Sequence, residues 1–518
     1  MSEKLNRNFL LDGSFAKDVE IGKVSAGATA QMPVKVLQFG EGNFLRAFVD
    51  FMIDELNEKG LFAGKVALVQ PIAQGMSDMI NAQDGLYTVV LRGYENRREV
   101  VRRRIVTCID GCVNPYTDFD IYTAAACNPD LRFVVSNTTE AGIAYKEGET
   151  LEDRPQASFP GKVCALLYRR FRHFAGDPGK GLVFIPCELI DNNGSMLKET
   201  VLRHAREWKL EQAFVNWVES ANCFASTLVD RIVTGYPRDE INELWNGLGY
   251  QDNLLVTAEI FHFFAIEVPG SAMPSISEEL PFHKAGLNVV WTADATPYKQ
   301  RKVRILNGGH TMSVPAAFLA GKETVGEMMG DNTFVQFLRE GIFSEIIPTL
   351  DLEPDDLTSF ANAVFDRFAN PYIRHYLLSI TLNSVSKFKA RVLPSILEYH
   401  RRKGELPKLL TFSMAALIAF YNGNEIVDGV LIGKRNGTDY KIADDAEVLE
   451  FFRDAWANRK SDSDVVKKVL GKTRFWGEDL NSLPGFCDTV AKYLEWIGKD
   501  GVKATIESLM ATGTDKGD

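Results

Sequence analysis

The chain has no stretch approaching the ~20 uninterrupted apolar residues that a membrane span requires, so no transmembrane helix is expected. It also lacks any excess of positive charge: 58 lysines and arginines face 69 aspartates and glutamates, a formal net charge of -11. That balance argues against a nucleic-acid or anionic-membrane partner, so an anionic substrate must meet a local basic pocket. Cysteine is sparse and scattered, at 108, 112, 127, 164, 187, 223 and 487. Cys108 and Cys112 have a metal-like gap without a second pair, so reduced thiols and a cytoplasmic location are expected. No two of the seven histidines sit three or four residues apart, and no structural metal is expected. Nucleophile-elbow, Walker and paired C-x-x-C patterns are missing, as are internal repeats and low-complexity segments. The opening MSEKLNRNFLLDG has no apolar core of a secretory signal, so none is expected.

What is present is an ordinary globular composition, 45% hydrophobic and 25% charged, over 518 residues. That length is too great for one core and implies two or three domains. Short apolar runs at Val34–Phe39, 65–69, 86–91, 132–135 and 181–186 read as strands. Helical periodicity follows Asn43 to about Lys59 and recurs near 161–174. Strands alternating with helices imply βαβ units and a parallel sheet, and 261–268 and 287–291 are expected to add late strands. After about Pro297 the pattern changes. The segments 311–321, 333–346, 371–389, 392–402, 408–422, 445–457, 463–469 and 485–510 favour helices, with 428–442 loop-like or a hairpin. The expected division is an α/β domain over 1–296 and a mainly helical domain over 297–518, with 513–518 frayed.

Chemistry could reside in several places. Gln38-Phe39-Gly40-Glu41-Gly42-Asn43-Phe44-Leu45-Arg46 follows the first strand. Gly40 and Gly42 suit a tight turn with close approach to a pyrophosphate, which the next helix start would attract. Leu45 stands where the dinucleotide fingerprint has its third glycine, and a simple strand-to-helix turn is the alternative. Arg46 could touch phosphate or cap an acidic neighbour. The second strand ends at Gln70, where a carboxylate usually holds a ribose. The polar cluster from Ser136 to Gly142, with Asn137 and Thr138, ends another strand where such sheets place ligands, unless it only caps a helix. Glu188 and Asp191-Asn192-Asn193-Gly194 close a third strand, where an amide could polarise a carbonyl or form a turn. Asp230-Arg231 reads equally as a structural ion pair. Lys387-Phe388-Lys389-Ala390-Arg391, with Arg374 and His375 upstream, clusters cations suited to a carboxylate.

The most informative stretch is 301–310, RKVRILNGGH. It puts a lysine, an amide and an imidazole, Lys302, Asn307 and His310, at offsets of five and eight. With ~100° per helical residue, Asn307 lies ~140° and His310 ~80° around from Lys302, so all three can line one broad face. Arg301 and Arg304 flank the lysine, and like charge lowers an ammonium pKa toward the range of a useful base. Gly308 and Gly309 leave room for a close neighbour. A plain basic helix start with a solvated lysine is the alternative.

Taken together, these stretches resemble the polyol-specific long-chain dehydrogenase/reductase family, the group of mannitol 2-dehydrogenase and the hexuronate reductases. Its K-x-x-x-x-N-x-x-H constellation falls on Lys302, Asn307 and His310, its V-D-R-I signature on 229–232, and its G-x-G-x-F-x-R loop on 40–46. Its Q-D-G-L-Y segment is 83–87. The resemblance implies a Rossmann-like N-terminal domain, a helical C-terminal domain and metal-independent hydride transfer with NAD(H); Gln70, which can both donate and accept hydrogen bonds, leaves NADP open. It assigns Lys302 as general acid/base, Asn307 as carbonyl polariser and His310 as the group orienting the substrate oxygen, with Asn193 offered as a second amide. Phe39, Gly40, Gly42, Asn43, Phe44, Arg46, Asn137, Thr138 and Asp230 would surround the cofactor. Lys387, Arg391, Arg374 and His375 would hold a small hexuronate; fructuronate- or mannitol-type substrates, or a dinucleotide binder without catalysis, are the rivals. A monomer or small homo-oligomer is expected.

Overall fold

The computed structural model describes residues 3–12, 15–21, 31–139 and 141–511. Glu140 of the 136–142 cluster and the expected frayed end at 513–518 lie outside the described residues. The chain divides into two compact units, one formed by 1–93 with 99–295, the other by 94–98 with 296–518.

The first unit is built on a six-stranded parallel sheet. Its strands are β1 (Val34–Phe39), β2 (Lys65–Val69), β3 (Ile109–Val113), β4 (Phe133–Ser136), β5 (Val183–Pro186) and β6 (Cys223–Phe224). Their spatial order is β3-β2-β1-β4-β5-β6, a doubly wound Rossmann order. Alternate residues enter two cores on opposite faces: Val36, Val66 and Val135 go to one, Leu37, Phe39 and Val134 to the other. Burial on both faces is why these strands read as unbroken apolar runs. Helices Phe159–His173 and Asn193–Glu207 feed the second core. The helical run at 43–58 feeds the first and contains a π-helical turn at Arg46–Asp50.

A five-stranded sheet extends this unit, pairing Tyr87–Glu95 with Val256–Glu259 and with Arg98–Val106. The Arg98–Val106 strand escapes the apolar pattern because its arginines are neutralised within the fold. Arg102 pairs with Glu20 at 2.7 Å, and Arg104 pairs with buried Asp54 at 2.6 Å. Three further strands, Ser226–Asp230, Phe263–Glu267 and Val289–Thr292, form a small sheet.

The second unit is mainly helical. Helix Lys408–Phe420 is buried on every side and packs against Gly308–Leu319 and Phe486–Asp500. The expected helix over 371–389 is instead two pieces, Leu377–Ile380 and Ser384–Arg391. Asn383 breaks it in a left-handed conformation (φ 54°), with its N–H turned to the Ala443 carbonyl at 3.1 Å. Gly501, at φ 84°, similarly divides 485–510 into Phe486–Asp500 and Val502–Ala511. The segment 423–442 is a three-stranded antiparallel sheet, turned at Asp428-Gly429 and Asn436-Gly437, four residues with positive φ. Among the described residues no helix is long and apolar enough to cross a membrane.

Candidate active site

In the first unit the backbone turns at Gly40, whose φ of 113° disfavours any side chain. A Cβ there would stand 2.9 Å from the Asn137 carbonyl oxygen beyond β4. Gly42 faces open space and precedes the helix start at Asn43. Bare backbone at a helix N-terminus attracts an anion and admits a pyrophosphate. A cleft of about 620 Å³ opens here, lined by Gly40, Gly42, Ile72, Asn137, Thr138 and Ser158. It lies where the strand order reverses, between β1 and β4, the usual ligand position of an open α/β sheet.

The loop is held from beneath. Gln38, fully buried, donates from Nε2 to the Gly40 carbonyl (3.0 Å) and to Asp50 Oδ2 (3.2 Å). The Tyr87 hydroxyl, reached through 83–87, lies 3.1 Å from the Arg46 carbonyl and 3.2 Å from Asp50 Oδ2. Burial pushes the Asp50 carboxyl up to about 7, against the lowering effect of Gln38, Tyr87 and Arg46.

Arg46 takes a role different from phosphate contact. It is 2% exposed, its Nε donates to the Glu41 carbonyl (3.1 Å), and Nη2 donates to Asn43 Oδ1 (2.7 Å). A further bond joins Nη1 to the Leu254 carbonyl, so the guanidinium is a brace inside the unit. Asn43 in turn lies against Gly235, where a Cβ would approach its Nδ2 to 2.8 Å. Phe44 stacks on Phe48 with centroids 5.0 Å apart. Phe39 is buried among Tyr122 and Phe159, which leaves only its backbone for a cofactor.

Glu188 draws the 136–138 cluster together. Its Oε1 accepts from Thr138 N and Oγ1, each at 2.9 Å, and its Oε2 accepts from Ser136 Oγ at 3.0 Å. Asn137 donates from Nδ2 to the Cys187 carbonyl at 3.0 Å. Asn193 is no carbonyl polariser. It is fully buried, with Nδ2 donating to Pro186 O, Glu188 O and Thr227 Oγ1 at 3.0–3.1 Å. Its Oδ1 accepts from Gly194 N and Thr227 N, both at 2.9 Å, so the amide is consumed as a structural link. Gln70 likewise shapes its own loop, donating to Ile72 O (2.9 Å) and Ala73 O (3.1 Å). Asp230 ends its strand opposite Phe263. Arg231 donates to the Ala47, Ile260 and Phe261 carbonyls, at 2.6, 3.2 and 3.0 Å.

In the second unit Lys302, Asn307 and His310 share one helical run, 296–319, longer at its N-terminal side than the sequence pattern indicates. Lys302–Asn307 is a π-helical turn, in which the Gly308 N–H reaches back five residues to the Val303 carbonyl. Five residues then make roughly one turn, so Lys302 and Asn307 share a face more closely than α-helical spacing allows. The flanking cations are engaged elsewhere. Arg301 pairs with Asp356, its Nη1 2.6 Å from Oδ1, and Arg304 Nη1 donates to Ser395 Oγ at 3.2 Å. Gly308 serves packing, since a Cβ there would meet the Arg391 carbonyl at 3.2 Å, whereas a Cβ on Gly309 would make only ordinary contact with the Phe368 ring at 3.6 Å.

Cations gather around His310. Its ring stacks on Phe368 at 3.9 Å and meets His375 edge-on at 5.4 Å. Arg391 Nη1 donates to Thr311 Oγ1 (3.4 Å), which itself donates to the Asn307 carbonyl (2.9 Å). Lys387 lies one turn before Arg391, with Nζ donating to the Ile380 carbonyl at 2.9 Å. Burial, then the Arg391 charge, pulls the Lys387 pKa down; burial also lowers that of Arg391. For His375, burial and then Lys387 act in the same direction. Arg374 lies at the edge of this group, exposed, with its guanidinium 5.2 Å from the Tyr376 ring. Arg367 and Phe368 escape sequence reasoning because the helix Pro354–Phe368 lies outside the expected elements. Among the described residues no three His, Cys, Asp or Glu side chains gather as a metal site. A second cavity of this unit, about 750 Å³ and lined by Tyr94, Arg97, Arg339 and Phe365, contains none of these residues.

Residues 34–277 match the mannitol dehydrogenase Rossmann domain, and 294–497 match the mannitol dehydrogenase C-terminal domain. The chain belongs to the mannitol dehydrogenase family. Within it, altronate oxidoreductases of Escherichia coli O139:H28 and Klebsiella pneumoniae strain 342 are each 47% identical over 93% of this chain and 98% of their own. Among solved structures, Pseudomonas fluorescens mannitol 2-dehydrogenase, in ternary complex with NAD and D-mannitol, shares the fold with a TM-score of 0.64. It is 22% identical over 98% of this chain and 99% of its own. A substrate-free D-sorbitol dehydrogenase superposes with a TM-score of 0.77 at 20% identity, over 97% of this chain and all of that one. The family places the chain among oxidoreductases acting on CH–OH groups.

Proposed function

We propose that this enzyme interconverts D-altronate and D-tagaturonate with NAD(H), a step of hexuronate catabolism. The first unit, with a dinucleotide-binding domain over 1–296, would hold the cofactor at Gly40, Gly42, Asn43, Asn137 and Thr138. The domain over 297–518 would carry the substrate and the catalytic groups. The bare glycine backbone beside Asn137 fits a dinucleotide pyrophosphate, and no lysine or arginine lies in 70–76 to favour the extra phosphate of NADP.

The nicotinamide, when bound, supplies or takes up hydride at the sugar carbon. The chain's own part is to hold the sugar and manage one proton. In the reducing direction Lys302 delivers a proton to the carbonyl oxygen as it becomes a hydroxyl; in the oxidising direction it removes that proton. Asn307 donates a hydrogen bond to the same oxygen, and His310 fixes its direction. The sugar carboxylate lies against Lys387 and Arg391, with His375 beside them and Arg374 at the rim.

The observation that carries the choice of a sugar acid is the cationic group around Thr311 and His310, together with relatives of nearly equal length named for altronate. An uncharged polyol has no need of it. The deciding experiment is NADH oxidation against tagaturonate, fructuronate and fructose, with altronate and mannitol tested in reverse with NAD. Tagaturonate is expected to give the highest kcat/KM; preference for fructose would reject the reading. The seven unpaired cysteines suit a reducing cytoplasm, and a monomer or small homo-oligomer is proposed.

A further inference from the structure

Phe368 has no place in the chemistry described so far, yet it is the nearest aromatic neighbour of His310. The rings are 3.9 Å apart at an interplanar angle of 27°, a stacked arrangement. His310 Nδ1 is buried and makes no hydrogen bond among the described residues. An unmet N–H donor in such a place is rarer and costlier than an unmet acceptor. The ring proton therefore belongs on Nε2.

The titratable groups bearing on the imidazole are Arg367 on the helix Pro354–Phe368, Arg391 on Ser384–Arg391, and His375 in the segment between them. All act in one direction, and after burial, the largest influence, each disfavours a second proton on His310. A neutral ring can then donate only through Nε2.

We propose that Phe368 is a positioning residue for the reaction: its ring fixes the plane of His310 so that Nε2–H donates one directed hydrogen bond to the reacting oxygen of the sugar. This rests on the proposed role of His310 at that oxygen. Phe368 touches no substrate itself and acts through the imidazole it stacks upon.

The test is a double-mutant cycle on kcat for tagaturonate reduction, using F368L, H310A and the pair, with NADH affinity and melting temperature measured for each. F368L is expected to lower kcat roughly tenfold in the wild-type background, the scale of a lost ring–ring contact, and to leave it unchanged where His310 is already alanine. F368Y, which keeps the stacking face, is expected to restore most of the rate. A similar loss from F368L in both backgrounds would overturn the inference, because the ring would then be acting on the fold at large. An H310A variant with wild-type kcat would instead overturn the proposed function of His310.

Discussion

Lys302 is the residue on which the proposed proton transfer turns, and its neighbours set the terms of its test. Arg301 is paired with Asp356, and Arg304 donates to Ser395. The expected result for K302A is a loss of kcat of at least a hundredfold with NADH affinity retained, measured by steady-state kinetics and fluorescence titration. Arg391 belongs to recognition. R391A is expected to raise KM for tagaturonate tenfold or more while fructose turnover changes little, because removing one cation from a carboxylate site weakens only substrates that carry the carboxylate. Equal losses on both sugars would remove Arg391 from the substrate pocket. At Gly40 the backbone strain and the 2.9 Å approach to Asn137 act together. G40A is expected to weaken NADH binding by tenfold or more, read by titration, since Ala at this φ costs about 1–3 kcal/mol before any clash.

At the scale of elements, the helices bearing both sets of groups contain π-helical turns, at 46–50 and 302–307, and a third lies at 341–346. The third positions Glu345, whose Oε1 and Oε2 accept from Leu409 N and Leu410 N, each at 2.8 Å, at the start of the buried helix 408–420. E345A is expected to cost roughly 1–3 kcal/mol in denaturant unfolding, and E345Q, which keeps an acceptor, less. These wide turns also mark the limit of what the sequence reveals. Parallel strands such as 65–69 were legible because both faces are buried, whereas 428–442 read only as a loop or hairpin, although Asp428-Gly429 and Asn436-Gly437 mark its two tight turns. A π-turn has no composition of its own, so wheel arithmetic over 301–310 assigns α-helical angles to a stretch that is wound more widely. The fate of Asn193 and Arg46 was equally hidden: whether an amide or guanidinium faces a ligand or the interior depends on which carbonyls the fold turns toward it, Leu254 from far along the chain for Arg46, and Pro186 and Glu188 from its own loop for Asn193. The Arg98–Val106 strand failed for the same reason, its acidic partners lying far along the chain.

For the molecule as a whole, buried carboxyls set a pH dependence of stability. Asp50 ionises near 3.8 in the unfolded chain and near 7 when folded. Its contribution is therefore complete below about pH 4 and lost as pH rises to about 7, corresponding to roughly 4 kcal/mol at most. Glu345, also raised to about 7, acts in the same sense. His262, held by burial near 3, acts oppositely, losing stability as pH falls below 6.5. The expected outcome is that D50N reduces the fall in melting temperature between pH 5 and pH 8 relative to wild type, checked by calorimetry at both values. A wild-type slope preserved in D50N would assign the effect elsewhere.

Residues 94–98, at the tip of a hairpin whose strands run from Tyr87 to Val106, count with the later unit, where the Arg97 N–H meets Asp366 at 3.2 Å. Severing the polypeptide after Ala295 consequently yields no self-sufficient halves. The carboxy-terminal fragment would be missing a piece encoded early in the message, and swapping such fragments between homologous enzymes would transplant an incomplete module unless that tip travelled with it.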